Sequence, residues 1–167
     1  MAILKILNYP DPKLRTKGKP VKTFEESLVK LKADMLDTMY AAPGIGLAAV
    51  QIGVFIRMLV IDISEAKNAP RCFINPEILS FEGEIETEEG CLSVPAIYES
   101  VKRFERIRVK AQDEFGEHFE LDAEGLLSVC IQHEMDHLEG KLFVDYLSQM
   151  KQVRIRKKME KLRKETL

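Results

Sequence analysis

The segment Gln132-His133-Glu134-Met135-Asp136-His137 carries the strongest signal in the chain. Its two histidines are four residues apart. On an α-helix that spacing puts both imidazoles on one face, where they can converge on a single ion. The glutamate between them can reach water at that ion as a general base. Two blander readings compete, a chance match and a pair of core histidines. With three histidines in the chain, chance meets this spacing well under ~1 time in 100 at ordinary composition. A core pair would leave Glu134 buried beside it and in need of its own partner. The segment therefore reads as a metal-binding helix.

Around it, Asp122 is a candidate N-cap and Gly140 a candidate stop, which predicts a helix over 123–138. A catalytic site needs a third protein ligand and an open position. His118 lies in an acidic strand-like stretch and reads as an exposed strand residue. Cys130 shares the face of His133, yet lies seven residues from His137, about 10 Å of helix rise. It reads as a wall residue. Cys91 is the better candidate, in Glu88-Glu89-Gly90-Cys91-Leu92-Ser93-Val94-Pro95, a glycine-preceded turn entering an extended segment. A lone cysteine is usually just a small buried hydrophobe, and spacing alone does not select it.

Further outward, residues 3–8 read as a short strand. Thr23-Phe24-Glu25-Glu26 resembles a capping box opening a helix, with Leu28, Leu31, Met35 and Met39 at helical spacing and Ala42-Pro43-Gly44 ending it. An apolar stretch with three glycines follows over 44–53. Residues 55–63 read as a buried strand, with shorter strands over 72–79, 83–87 and 102–111. Asp113-Glu114-Phe115-Gly116 is a turn signal, and Phe119 and Leu121 alternate with acidic residues to complete a hairpin. A last helix begins near Ser148, with Ile155, Met159 and Leu162 as a narrow apolar stripe. This order predicts one α+β domain over 1–167, its antiparallel sheets packed around a central metal-binding helix, with an N-terminal helix and a basic C-terminal helix at 148–167.

Composition agrees with a globular protein: 46% hydrophobic and 31% charged residues in a chain of 167. No run approaches the apolar length of a membrane span, and the short apolar N-terminus does not resemble a signal peptide. Three widely spaced cysteines read as reduced thiols. A cytoplasmic protein is expected. Charge is uneven. Residues 151–167 carry eight basic residues against two acidic, net +6, leaving −8 on the remainder of a chain whose formal charge is −2. Such a segment hints at a partner, against the blander reading of a solvated helix.

Three segments taken together resemble the peptide deformylase family of bacterial type: Gly44-Ile45-Gly46-Leu47-Ala48-Ala49-Val50-Gln51, Glu89-Gly90-Cys91-Leu92-Ser93, and Gln132 to His137. The resemblance extends from the N-terminal Asp-Pro-Lys-Leu-Arg stretch to the basic tail. It implies a hydrolase that removes the formyl group from the formyl-methionine of new polypeptides. Cys91, His133 and His137 would hold one divalent metal, commonly Fe²⁺, with Zn²⁺, Ni²⁺ or Co²⁺ able to replace it. Glu134 would be the acid/base, and the Gln51 side-chain amide and the Leu92 backbone N–H would meet the developing oxyanion. N-formylmethionyl peptides are the expected substrates and the ribosome the expected docking partner of the basic helix. No DNA or membrane partner is expected. Tyr98 stands where many bacterial members carry a substrate-facing arginine, and Thr87 where an apolar pocket residue is common.

The methionine side chain has a candidate slot. Leu126, Cys130, His133 and His137 fall at i, i+4, i+7 and i+11, on one helix face. An unbranched, polarizable side chain suits an apolar slot next to the metal. Ile45 and Val129 complete the wall by resemblance, and Gly46 offers backbone to an extended peptide. The alternative is that Leu126 and Cys130 are plain core. At the level of function, a metallopeptidase with the same helix motif and a structural metal domain whose basic helix binds RNA are the competing readings.

Overall fold

The computed structural model describes residues 2–165; Met1, Thr166 and Leu167 fall outside them. A five-stranded antiparallel sheet forms the body. Its strands are β1 (Gly46–Ala48), β2 (Met58–Ile61), β3 (Arg71–Glu82), β6 (Arg106–Gln112) and β7 (His118–Glu124), in the order β1-β2-β3-β6-β7. β4 (Ile85–Cys91) and β5 (Val94–Arg103) form a separate antiparallel hairpin. The helices are α1 (Glu26–Ala41), α2 (Leu126–Leu138) and α3 (Gln149–Glu165). This is the expected α+β arrangement of antiparallel sheets and three helices.

β2 shows why the sheet sits where it does. All four of its residues are buried, because both faces are covered. Met58 and Val60 pack with Met35 and Met39 of α1, while Leu59 and Ile61 pack with Ile131 and Leu138 of α2. Successive strand side chains point to opposite faces, so a continuous apolar run is what a strand between two helices requires. A third cluster joins Val94, Ile97 and Val101 of β5 to Ile155 and Met159 of α3, with Leu14 and Phe143. α2 thus lies against the sheet through Ile131 and Leu138, and its histidine face meets the β4–β5 hairpin.

Several local expectations need correction. Residues 3–8 form no strand. Their backbone instead straps two other segments: Leu7 N–H donates to the Gln51 carbonyl at 2.7 Å and Tyr9 N–H to the Ser93 carbonyl at 2.8 Å. α1 opens at Glu26 with no side-chain cap. The chain before it is held extended, because Asn75 accepts from Val21 N–H at 2.8 Å and donates to the Val21 carbonyl at 2.9 Å. The strand expected over 55–63 shrinks to Met58–Ile61, since Phe55 and Arg57 hydrogen-bond Lys19. The expected strand 102–111 is two strands broken at Phe104 and Glu105. Gln132 fixes that break, accepting from Phe104 N–H at 3.0 Å and donating to its carbonyl at 2.8 Å. α2 begins at Leu126, later than 123, because Asp122 to Glu124 continue β7 and Gly125, at φ 59°, makes the turn into the helix. That left-handed backbone suits glycine. Gly140, at φ 74°, follows the helix as expected, and the His118–Glu124 strand completes the β6–β7 hairpin.

Candidate metal centre and cleft

Two elements deliver the site. α2 supplies His133 and His137 on its buried face. The β4–β5 hairpin supplies Cys91, which pairs with Val94 across a two-residue turn made of Leu92 and Ser93. A ligand atom from each of Cys91, His133 and His137 lies within 4.8 Å of the others. Cys91 Sγ is 3.4 Å from His137 Nε2, and two ligands of one tetrahedral ion at ordinary bond lengths stand roughly 3.5 Å apart. Both histidines are buried. Cys130 is not part of this group.

The surroundings also fit an ion. His133 Nδ1 is 2.8 Å from Glu89 Oε1, so its other nitrogen is left to face Cys91. Metal-binding histidines commonly have such a carboxylate behind them. Burial first, and then the charge of His133, push His137 well below the usual histidine range; at His133 burial also opposes the charge, but Glu134, Cys91 and Glu89 outweigh it and raise that group well above the range. Oε1 of Glu134 is buried with no hydrogen-bond partner among the described residues, and it lies 4.0 Å from His137 Nε2. Burial pushes the Glu134 carboxyl up to about 7, suited to exchanging protons near neutrality. Cysteine thiolate and imidazole are donors for iron, zinc, nickel or cobalt rather than for magnesium or calcium.

Behind the histidines runs a polar chain, buried at Glu89 and Arg103 and reaching the surface at Tyr146. Arg103 donates to both Glu89 oxygens at 2.8 and 2.9 Å and to Asp136 at 2.6 Å. Tyr146 O–H donates to the same Asp136 at 2.8 Å, and the Arg103 guanidinium lies 4.9 Å from the Tyr146 ring centre. Burial opposes the charged form of Glu89, but Arg103 and His133 outweigh it and hold the carboxyl at about 2. The chain therefore ties β4, β5 and α2 together beside the candidate metal ligands.

Gln51 sits in a 3-10 turn, Ala49–Ile52. Its Oε1 accepts from Ala48 N–H at 2.9 Å. That orients Nε2, which donates to Ser93 Oγ at 3.0 Å and lies 3.6 Å from Cys91 Sγ. A cleft of about 690 Å³ contains Gln51, Cys91, Leu92, His133 and Glu134, and its walls include Ile45, Gly46, Leu126, Val129 and Cys130. Every expected pocket residue thus lines one cavity. Leu126 is 54% exposed, so it is not core, whereas Cys130 is both core and wall. Thr87 and Tyr98 line the same cleft, while His118 is exposed on β7. Sequence reasoning passed over Glu89, Ser93 and Arg103. A histidine ligand's need for a partner on its second nitrogen was the available clue to the first of them.

Residues 3–153 match the family model described as polypeptide deformylase. The chain belongs to the peptide deformylase family. It is 60% identical to a peptide deformylase of Azotobacter vinelandii over 96% of both chains. The crystal structure of a peptide deformylase from Legionella pneumophila superposes with a TM-score of 0.94 at 55% identity, covering 99% of this chain and 98% of that one. A peptide deformylase from Ehrlichia chaffeensis, solved in complex with actinonin, superposes with a TM-score of 0.93 at 39% identity, covering 96% of this chain and 98% of that one. The chain is accordingly an enzyme, a hydrolase of the deformylase type. Among the described residues no helix is long and apolar enough to cross a membrane.

Proposed function

We propose that this deformylase hydrolyses the formamide bond of N-terminal formyl-methionine on newly made polypeptides and releases formate, as one catalytic domain over 1–167 acting in the cytoplasm. The observation that carries the reading is the convergence of Cys91, His133 and His137 beside the unpartnered carboxylate of Glu134, inside a cleft walled by Leu126, Val129 and Cys130. Those three ligands would hold one divalent ion, with Fe²⁺ the expected occupant in the cell. The ion, when bound, supplies Lewis acidity and lowers the pKa of water to near neutrality.

The chain's own groups do the rest. Glu134 takes a proton from the attacking water as its oxygen adds to the formyl carbon. The new oxyanion is met by the Gln51 amide, which Ala48 and Ser93 hold in place, and by the Leu92 backbone N–H. Glu134 then passes its proton to the nitrogen as the C–N bond breaks, leaving formate and a free amine. The methionine side chain lies along Ile45, Leu126, Val129 and Cys130, while Gly46 and its neighbours present backbone to the peptide. The basic α3 serves as a ribosome-docking element, with phosphate contacts that weaken as salt rises.

The deciding experiment is anaerobic formate release from formyl-Met-Ala-Ser with metal analysis of the same sample. Turnover that scales with bound metal is expected. A metal-loaded protein that releases no formate would overturn the reading.

A further inference from the structure

A second cavity, about 230 Å³, opens beside the cleft between β5 and α3. Ala96, Ile97 and Tyr98 line both cavities, so β5 is a shared wall and the two spaces adjoin. The far side of the smaller one is α3, which contributes Arg154, Ile155 and Lys158. Arg154 and Lys158 are four residues apart, on one face of the helix. Neither has an ion-pair partner among the described residues. The single acidic residue of the lining, Glu99, is held by Lys151 at 3.1 Å. The small cavity is therefore net positive, with two uncommitted cations at its mouth.

The cations also stand on a fixed support. Ile155, between them in sequence, and Met159, next to Lys158, are both buried against Ile97 and Val101 of β5. A long side chain rooted on an immobile helix loses less freedom on engaging a ligand than one on a loop. Ala96 turns the strand at this point with a left-handed backbone, φ 65°, where the hairpin changes register between Glu89 and Cys91.

We infer that Arg154 and Lys158 form a subsite for a carboxylate side chain on the substrate peptide, two or three residues beyond its formylated methionine. The inference rests on the deformylase reading above and assigns a further selectivity to the same cleft. An extended peptide advances about 3.3 Å per residue. A chain that left the methionine slot on the side of Ala96, Ile97 and Tyr98, the wall the two cavities share, would carry its third or fourth residue toward α3. The interaction is between solvent-facing charges and so is modest and salt-sensitive.

The test uses amidated peptides, so that the only carboxylate is a side chain: formyl-Met-Ala-Asp-Ala and formyl-Met-Ala-Ala-Asp, each against its Asn twin. For the metal-loaded enzyme at low salt, kcat/KM should favour one Asp peptide over its twin by about 3- to 10-fold, the scale of one or two exposed ion pairs. The ratio should fall to near one in the Arg154→Gln/Lys158→Gln double variant, and also in the native enzyme at 0.5 M KCl. Equal rates on Asp and Asn peptides at both positions would overturn the subsite, as would a preference that survives the double substitution. A ratio of one throughout, with RNA affinity lost in the double variant, would assign these cations to nucleic acid and overturn it too. If the native enzyme turns over none of the four peptides, the catalytic reading itself fails and the subsite falls with it.

Discussion

The backbone of Gly46 lies directly against the carboxylate of Glu134: a Cβ built at residue 46 would stand 2.5 Å from Oε2. Strand β1 and helix α2 approach this closely only because residue 46 has no side chain. The glycine of the apolar 44–53 stretch therefore beds the proposed acid/base as well as flooring the cleft.

Gly46→Ala should displace the Glu134 carboxylate and lower kcat at least ~10-fold, since small misplacement of a general base is costly. Metal content should stay at the native level. Glu134→Gln, which keeps the shape and removes the base, should cost ~10² to 10⁴-fold with metal retained. Parallel kcat and metal measurements check both. A fully active Gly46→Ala enzyme would show that the contact does not position the base.

Cys91→Ala should abolish tight metal binding, whereas Cys130→Ala should leave metal content intact. Cys91 Sγ lies 3.4 Å from His137 Nε2. Burial pushes the Cys130 thiol up to about 12, which keeps it protonated and a poor ligand. Metal analysis after gel filtration decides this, and equal losses in the two variants would reject the ligand assignment.

Arg103→Met should destabilise the fold by ~3–5 kcal/mol, the cost of leaving one member of a buried ion pair unpaired. Glu89 and Arg103 side chains are only 5% and 4% exposed. Adding Glu89→Gln should recover part of the loss, because the more deeply buried of the two carboxylate partners of Arg103 then carries no charge, while Asp136 keeps its bond from Tyr146. Urea denaturation of the single and double variants at one pH measures it. No recovery in the double variant would mean that Arg103 acts by packing.

Asp62 predicts a pH dependence. Burial alone would raise its carboxyl, but hydrogen bonds from Ser64, Tyr40 and Ala69 outweigh it and hold it at about 2, below the ~3.9 of an unfolded chain. A lowered folded-state pKa means stability that is complete above about pH 4 and is lost as pH falls toward 2. Asp62→Asn should flatten the stability profile within that window and leave its slope above pH 5 unchanged. Urea midpoints at steps from pH 2.5 to 6 test it. An unaltered acid limb would place the titrating group elsewhere.

The parts legible in the sequence are those whose pattern follows one period. The histidine helix, the β6–β7 hairpin and the apolar stripe of α3 all do so. β5 was missed as a strand in its own right. Its buried apolar residues Val94, Ile97 and Val101 are spaced three and four apart, closer to helical than to strand spacing, because the bend at Ala96 inserts a residue between Val94 and Ile97. Asp122 resembles a helix cap but instead pairs with Arg108 at 2.8 Å in the sheet. Within the site, the candidate ligands follow from spacing and resemblance together. Glu89 and Arg103 stayed hidden because their partners are 44 and 33 residues away, on another element. Pairings at that distance leave no local period.

The burial of Ile155 and Met159 against the hairpin bears on how the protein comes into being. Chains emerge from the ribosome N-terminus first. Both faces of the sheet, and the helix with its two histidines, can assemble once residue 138 is out. The hairpin that carries the cysteine, already met by Leu14 and Phe143, gains the α3 part of its backing only when residue 159 follows. Deleting the tail to test docking would therefore also strip that backing from the cysteine's strand pair. Reversing exposed charges on α3, with Ile155 and Met159 kept, separates the two effects. In synthesis, the segment that backs the thiol's strand pair follows the sheet and the histidine helix, so each new copy completes the surroundings of Cys91 later than its body.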